Sequence, residues 1–354
     1  MLDSPIDIEK LKKLQFKVMQ DVAAAAVVPL MRIGDQLGLF KQLSELGEVS
    51  SQKFAEEAQV DERYLREWLY AVSAAGFISY NKENKTFSLS PEQTAVFAHE
   101  EGPANMIGAY DVLTGAVHNE KDVLEAFKTG AGVPYEDACP ICFQGTARFF
   151  KPSYQANLIK KWLPLIEGFE EKMKSGGSFA DIGCGHGLST LMIADAFPSG
   201  KVAGFDIHGP SIDQAKNLAK DANLLDQIEY GVADAKSYEG SYDYIAFFDC
   251  LHDMGDPVGA AKYAFDHLNE GGSVILIEPT ASDSPEDNFN IFGQMYYSFS
   301  TMGCIPTSKS QEVGLSLGAQ AGPSRLIKVL NEAGFNNCKV VKKNASNMVL
   351  EARR

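Results

Sequence analysis

The segment Phe179-Ala-Asp-Ile-Gly-Cys-Gly-His-Gly187 gathers residues suited to holding a ligand. Glycines at 183, 185 and 187 let the backbone approach closely and adopt conformations that a side chain would forbid. An apolar run ends just before them and a helical pattern opens near Leu188. The loop therefore falls where α/β sheets bind ligands, outside the carboxyl ends of their strands. The third glycine comes one residue too early for the dinucleotide pattern G-x-G-x-x-G, and an acid, Asp181, stands just before the loop. A ligand with a positive charge and an amino group suits that better than a pyrophosphate. Asp206 ends the next strand, about 25 residues on, where a carboxylate can accept both hydroxyls of a ribose. Asp234-Ala235 follow a third strand, where an acceptor can take an adenine amino group, and Asp249 follows a fourth. Four acids at four successive strand ends are more specific than any one loop. They mark a cofactor site rather than ordinary caps.

The elements that must position these residues begin after Gly177. Short apolar strands at Ser178–Ile182, Lys201–Asp206, Ile228–Val232, Tyr242–Phe248 and Ser273–Glu278 alternate with helical stretches, which predicts a parallel sheet covered on both faces. Two more strands, Lys339–Lys342 and Met348–Glu351, are too close in sequence for a parallel crossover and must form an antiparallel hairpin. The amino-terminal half differs. Helical spacing runs from Ile8 to about Gly38 through Leu11, Leu14, Val18, Val22 and Ala25, with a kink or break expected at Pro29. Short helices from Ser51 and Asp61, then a hairpin over Phe77–Tyr80 and Thr86–Leu89, give a winged-helix order. From Gly102 to Gly168 the chain reads as helical with a loop over about Gly130 to Thr146. The division is 1–100 helical winged-helix domain, 101–170 helical connector and pocket cover, and 171–354 the sheet domain.

On these residues the sequence resembles the class I methyltransferase superfamily over about half the chain, from Phe179 onward. The resemblance implies a Rossmann-like seven-stranded sheet with an antiparallel C-terminal hairpin, and S-adenosylmethionine as cofactor. It places Gly183 and Gly185 at the methionine part, Asp206 at the ribose, and Asp234 and Ala235 at the adenine, with Asp181, Cys184, Ile207 and Asp249 as further cofactor-binding candidates. The stretch Cys250-Leu-His-Asp-Met-Gly-Asp-Pro257 resembles the LHDW segment of plant caffeate-type small-molecule O-methyltransferases, whose histidine is the base. His252 matches it, and Glu278 stands where that family has a bracing glutamate. An imidazole is an efficient base for removing a hydroxyl proton near neutral pH. Departures are Met254 for the family's tryptophan, Phe248 for a lysine, and Gln320 loosely aligned with a second bracing glutamate. The amino-terminal half, LGLFKQL and FAEEAQVDERYLREWLYAVSAAGFISY, resembles the dimerisation domain of those enzymes and of bacterial winged-helix methyltransferases labelled as regulators. A homodimer is the implied assembly. An S-adenosylmethionine-binding transcriptional regulator is the alternative function.

Composition narrows the partners. With 47 acidic against 32 basic residues, a net charge of −15 repels a phosphate backbone. From Lys53 to Lys85 five basic residues face six acidic ones, which makes the helix after Asp61 a poor reader of DNA. The start MLDSPIDIEK lacks the pattern of a secretion signal, and the apolar run Val22 to Met31 is half a bilayer span. Cytoplasm, no membrane and a small-molecule acceptor are the expectations. Cys139-Pro-Ile-Cys142 has no second ligand pair nearby for zinc, and a redox pair would be expected at a strand-to-helix turn. It reads as part of a pocket cover, with Tyr135 and Phe143 as lining and no metal. Tyr296, Tyr297, Phe299 and Met302 read equally as core or as the wall of an apolar acceptor site.

Overall fold

A computed structural model describes residues 5–354. It divides into two compact units, one ending at Thr114 and the other running from Gly115 to Arg354. In the first, α1 (Ile8–Gln36) starts at Asp7, whose carboxylate accepts the Glu9 and Lys10 N–H groups. Pro29 lies inside α1, and the helix continues through it without the predicted break. Leu14, Val18 and Val22 of its apolar stripe stay 53–60% exposed, while Met31 and Gly34 near its end are buried. Among the described residues this stripe is not a packed face. By length and apolar content α1 also meets the demand of a bilayer crossing.

Gly34 is small because Trp68 needs the space: a Cβ there would lie 2.5 Å from the indole. The Trp68 indole N–H donates to the Leu30 carbonyl at 2.8 Å. Around that contact pack α2 (Leu39–Leu46), α3 (Ser51–Ala58) and α4 (Glu62–Ala74), the last two capped by Ser50 and Asp61. Strands β1 (Val49–Ser50), β2 (Ser79–Asn81) and β3 (Thr86–Ser88) form a small antiparallel sheet in the order β1-β3-β2. The winged-helix expectation holds, with β1 as an added strand too short to read from sequence. Helix α5 (Pro91–Phe97) follows behind a Ser90–Gln93 capping box, then α6 (Gly108–His118).

In the second unit α7 (Glu120–Thr129), a short turn at Tyr135–Asp137, α8 (Pro140–Asn157) and α9 (Phe169–Lys174) precede the sheet. The loop expected up to Thr146 is shorter than predicted. Pro140 at the first helical position starts α8 there, since its fixed φ suits a helix and its missing N–H costs nothing. Cys142 and Phe143 are thus helical. The sheet comprises β4 (Ser178–Ile182), β5 (Lys201–Asp206), β6 (Ile228–Val232), β7 (Tyr242–Phe248), β8 (Leu268–Pro279), β9 (Asn337–Lys343) and β10 (Asn347–Arg353). Its order is β6-β5-β4-β7-β8-β10-β9, with β4 parallel to both neighbours and β10 antiparallel to β8 and β9. Seven strands and the antiparallel hairpin were both expected.

Helices α10 (Leu188–Ala196) and α11 (Gly209–Asp221) follow β4 and β5, and α12 (Pro257–Asp266) follows β7. After β8 come α13 (Ile291–Phe299), α14 (Ile305–Ser310) and α15 (Pro323–Glu332). Two apolar layers sandwich the sheet. One joins Phe179, Tyr244 and Ile275 to Trp162, Phe169 and Ile193, and the other joins Ile182, Ile245 and Leu276 to Ala261, Leu326 and Leu330. Fully buried strands explain the near-continuous apolar runs of β4, β7 and β8. The chain order reverses at β4, so the crevice beyond its carboxyl end is where a ligand site is built.

Candidate active site

That crevice begins with the three glycines, each required for a different reason. Gly183 has φ 74°, and a Cβ there would lie 2.8 Å from the Cys250 sulfur. Its N–H and that of Cys184 both donate to the Phe205 carbonyl, at 2.8 and 3.0 Å, which pins the loop to β5. Gly187, at φ 70°, would collide with Tyr230 and Ala215. Gly185, at φ 54°, faces open space instead. It is the point at which a ligand can approach the backbone.

The predicted acids take distinct places. Asp206 holds the loop from below, its Oδ2 accepting the Gly185 N–H and its Oδ1 the His208 N–H, each at 2.8 Å. Burial raises its pKa above the ordinary carboxylate value, against those two amides. Asp181 is fully buried, with Oδ2 taking the hydroxyls of Ser189 and Thr190 at 2.6 and 2.7 Å. Its Oδ1 has no hydrogen-bond partner among the described residues, and burial pushes the group up to about 6 despite those hydroxyls. Ile207 is 60% exposed at the crevice edge, Asp234 is exposed and accepts the Lys236 N–H at 2.8 Å, and Ala235 is half-buried.

Asp249 is drawn inward, at φ 50°. The Tyr154 hydroxyl donates to its Oδ2 at 2.7 Å and the Asn347 amide to its Oδ1 at 3.0 Å. Burial, with the nearby Glu278 charge, pushes Asp249 up to about 8.

Three residues on, His252 sits on a short turn, Leu251–Asp253, and is buried. Its Nδ1 shares a hydrogen bond with Oε2 of buried Glu278, the partner that the resemblance implied. Its Nε2 lies 3.2 Å from Asp253 Oδ1, and the donor atoms of His252, Asp253 and Cys304 fall within 4.8 Å of one another. Burial pulls the imidazole pKa down, but Asp253 and Glu278 outweigh it and hold it well above the ordinary histidine value. Gln320 does not brace this ring, since its amide donates to the Thr280 and Ala319 carbonyls. Tyr135 and Phe143 pack against each other at 4.9 Å and on His208, with Phe143 stacked at 4.3 Å, so they lie beside the Asp206 loop. Of the aromatic run, Tyr296 is buried, and Tyr297 meets Asn288 at 3.5 Å beside a groove that it and Phe289 help to line.

A family model described as a methyltransferase domain matches residues 154–340 of this chain. The chain belongs to that family. A second model, an Rv2258c-like winged HTH domain, matches residues 24–99. Flavonoid 3'-O-methyltransferase 3 of Mentha piperita is 26% identical over 184 residues, 51% of this chain and 47% of that protein. The chain spans 36–47% of the length of the curated relatives it matches. In fold it is similar to an O-methyltransferase family protein of Burkholderia thailandensis (TM-score 0.70, 13% identity, 99% of each chain). It is also similar to human N-acetylserotonin methyltransferase, solved in complex with S-adenosylmethionine (TM-score 0.69, 16% identity, 100% of this chain and 99% of that one).

Within this methyltransferase-domain chain, sequence reasoning missed four neighbours of the predicted residues. Asp253 was visible as the residue after His252. Tyr154, Cys304 and Asn347 carry no spacing signal, since they meet the site from α8, from a wide turn at Ser300–Cys304 and from β10.

The Asp249 carboxyl supplies a prediction. Its pKa is raised above the unfolded value of about 3.9, so its contribution to stability is complete below that pH and is lost as pH rises towards about 8. Asp249→Asn keeps the shape without the ionisation. In urea titrations the variant should gain on the native chain steadily between about pH 4 and pH 8. A stability difference that stays constant over that range means the carboxyl is already ionised in the folded state.

Proposed function

We propose that this protein transfers a methyl group from S-adenosylmethionine to a hydroxyl of a small, apolar or aromatic acceptor, with His252 as the base. The observation that carries this reading is the buried His252–Glu278 pair beside the Gly183–Gly187 loop. When bound, S-adenosylmethionine supplies an electrophilic methyl on a positively charged sulfur. The residues fit such a group: Gly185 opens to free space, and Asp181 Oδ1 is buried without a partner. Asp206 keeps lone pairs for ribose hydroxyls after accepting its two amides. Asp234 and Ala235 lie past the end of β6, where the proposed reading puts the adenine.

For the acceptor, the proton must leave its hydroxyl as the new carbon–oxygen bond forms. His252 Nε2 takes it if the acceptor oxygen displaces Asp253 Oδ1 from that nitrogen. Glu278 then stabilises the imidazolium through Nδ1 and fixes its orientation. The acids flanking the ring make the neutral base scarcer at low pH, so the rate should climb with pH beyond the ordinary histidine range.

A DNA-binding regulator is the competing reading, and the winged-helix match favours it. Helix α4 argues against it. Its two arginines are paired within the helix, Arg63 with Glu67 at 2.5 Å and Arg66 with Glu62 at 3.4 Å. The exposed stripe of α1 instead supports a homodimer, because an apolar face of that length is covered in stable assemblies. Light scattering on the full chain should give twice the monomer mass at micromolar concentration. A monomer there removes the dimer.

Asp206→Ala should weaken S-adenosylmethionine binding by about 1–3 kcal/mol, the cost of stranding hydrogen-bond donors. Unchanged affinity by calorimetry, with an intact fold, takes Asp206 out of the site.

His252→Ala should lower kcat by roughly 10²–10⁴-fold, the range of positioned proton transfer. Cofactor affinity should change less than about tenfold, since the cofactor's polar groups have other partners. Asp253→Asn removes a charge that holds the imidazole proton, so the ascending limb of the pH–rate profile should move to lower pH. Native turnover in His252→Ala, or a limb that moves to higher pH in Asp253→Asn, defeats the assignment of the base.

A further inference from the structure

The Cys139-Pro-Ile-Cys142 segment lies outside this chemistry, and its surroundings are specific. Cys139 is the N-cap of α8, an 18-residue helix, with φ −55° and ψ 132°, and Pro140 occupies the first helical position. Cys142 is the third helical residue, and its N–H donates to the Cys139 carbonyl at 2.7 Å. The two cysteines are therefore one turn apart, and the first stands outside helical geometry, the freedom a one-turn disulfide needs. Cys139 occupies the position where a capping side chain normally meets the free N–H groups of the first turn, and a helix N-terminus favours negative charge there. Its side chain makes no capping hydrogen bond.

Asn119, before α7, clamps both residues. Its Oδ1 accepts the Cys139 N–H at 3.3 Å and its Nδ2 reaches the Cys142 sulfur at 3.9 Å. Gly115 of α6 has no side chain because Cys142 fills that space. Both cysteines are free thiols and partly exposed. Burial, with Cys139 beside it, pushes the Cys142 thiol up to about 11. The sequence lacked a strand-to-helix turn at this point. The chain enters α8 from the short turn Tyr135–Asp137, and Pro140 starts the helix.

We propose that Cys139 and Cys142 form a dithiol that exchanges with low-molecular-weight disulfides, with Cys139 as the attacking sulfur and Cys142 as the resolving one. Cys139 thiolate attacks one sulfur of the disulfide, breaking its S–S bond, forming a mixed disulfide and releasing one thiolate. Cys142 then attacks the Cys139 sulfur, its proton passing to the departing second thiolate. Two protein thiols become one intramolecular disulfide, and the external disulfide is reduced to two thiols.

The test uses the full native chain in graded mixtures of oxidised and reduced glutathione, quenched in acid, alkylated and read by peptide mass. The expected result is loss of two hydrogens from the peptide holding Cys139 and Cys142, while Cys184, Cys250, Cys304 and Cys338 remain alkylated. Cys142→Ser should trap glutathione on Cys139, and in Cys139→Ser the remaining Cys142 should react about tenfold or more slowly. The same chain in urea should lose the preference for this pair. Three results each overturn the proposal: both thiols still alkylated where the glutathione is mostly oxidised, Cys142 reacting at the native rate in Cys139→Ser, or an identical pattern in the folded and unfolded chain.

Discussion

A carboxyl group buried at the end of a central strand must find donors, and Asp249 finds them in two distant parts of the chain. Tyr154 comes from α8 and Asn347 from β10, which are 95 and 98 residues away. These bonds tie the helical connector and the terminal hairpin to the end of β7. They also fix the direction in which the chain leaves that strand. His252 lies three residues further on, and Glu278, its partner, ends β8 beside it. Because β7 and β8 are paired in parallel through Phe248 and Ile277, the histidine and glutamate reach the same level of the sheet. An imidazole held this way has little freedom to rotate, which is what a positioned base requires.

What the sequence made legible follows from periodicity and local chemistry. The fully buried strands announce themselves as apolar runs, and Gly183, Gly185 and Gly187 as a loop. The hairpin at the carboxyl end follows from the short connection between its strands. The pairing of His252 with Glu278 came from the resemblance to small-molecule O-methyltransferases, and the parallel pairing of β7 with β8 brings the two together. Three contacts needed folding over long separations: Tyr154 and Asn347 on Asp249, and Cys304 beside His252. Nothing in their spacing encodes a shared destination. At Pro29 the expectation was a kink or a break, and the helix is unbroken there. A proline removes one N–H and crowds one carbonyl, and a 29-residue helix has enough remaining bonds to run through it. The start of α8 was misplaced because the loop-like composition around Cys139 outweighed the single start signal of Pro140.

The site's electrostatics run in one direction. Asp181, Asp206, Asp249, Asp253 and Glu278 stand at the carboxyl ends of neighbouring strands, and four of them are buried. Burial alone makes such carboxylates hold protons more tightly, as at Asp181 and Asp249. A permanent cation placed in such a crevice favours the ionised form of these acids, and an anion favours the protonated form. A pyrophosphate cofactor meets the wrong field here, in agreement with the glycine spacing. A sulfonium meets the right one.

The same field sets a conflict that the proposed reaction must resolve. Acids that attract a sulfonium also keep His252 protonated, and a protonated imidazole cannot accept a proton from the acceptor. Two positive charges in one crevice repel, so a bound sulfonium lowers the affinity of His252 for its proton, and a protonated His252 weakens sulfonium binding by the same factor. On the proposed reading, occupancy of the cofactor pocket and readiness of the base are therefore linked through charge alone, without any movement of the backbone. On that reading Asp253 tunes this balance. It touches Nε2 before the acceptor arrives, is less deeply buried than Glu278, and is the partner an incoming hydroxyl would replace. Glu278, held beneath the ring on Nδ1, stays in place through the exchange and keeps the emptied nitrogen aimed at the crevice.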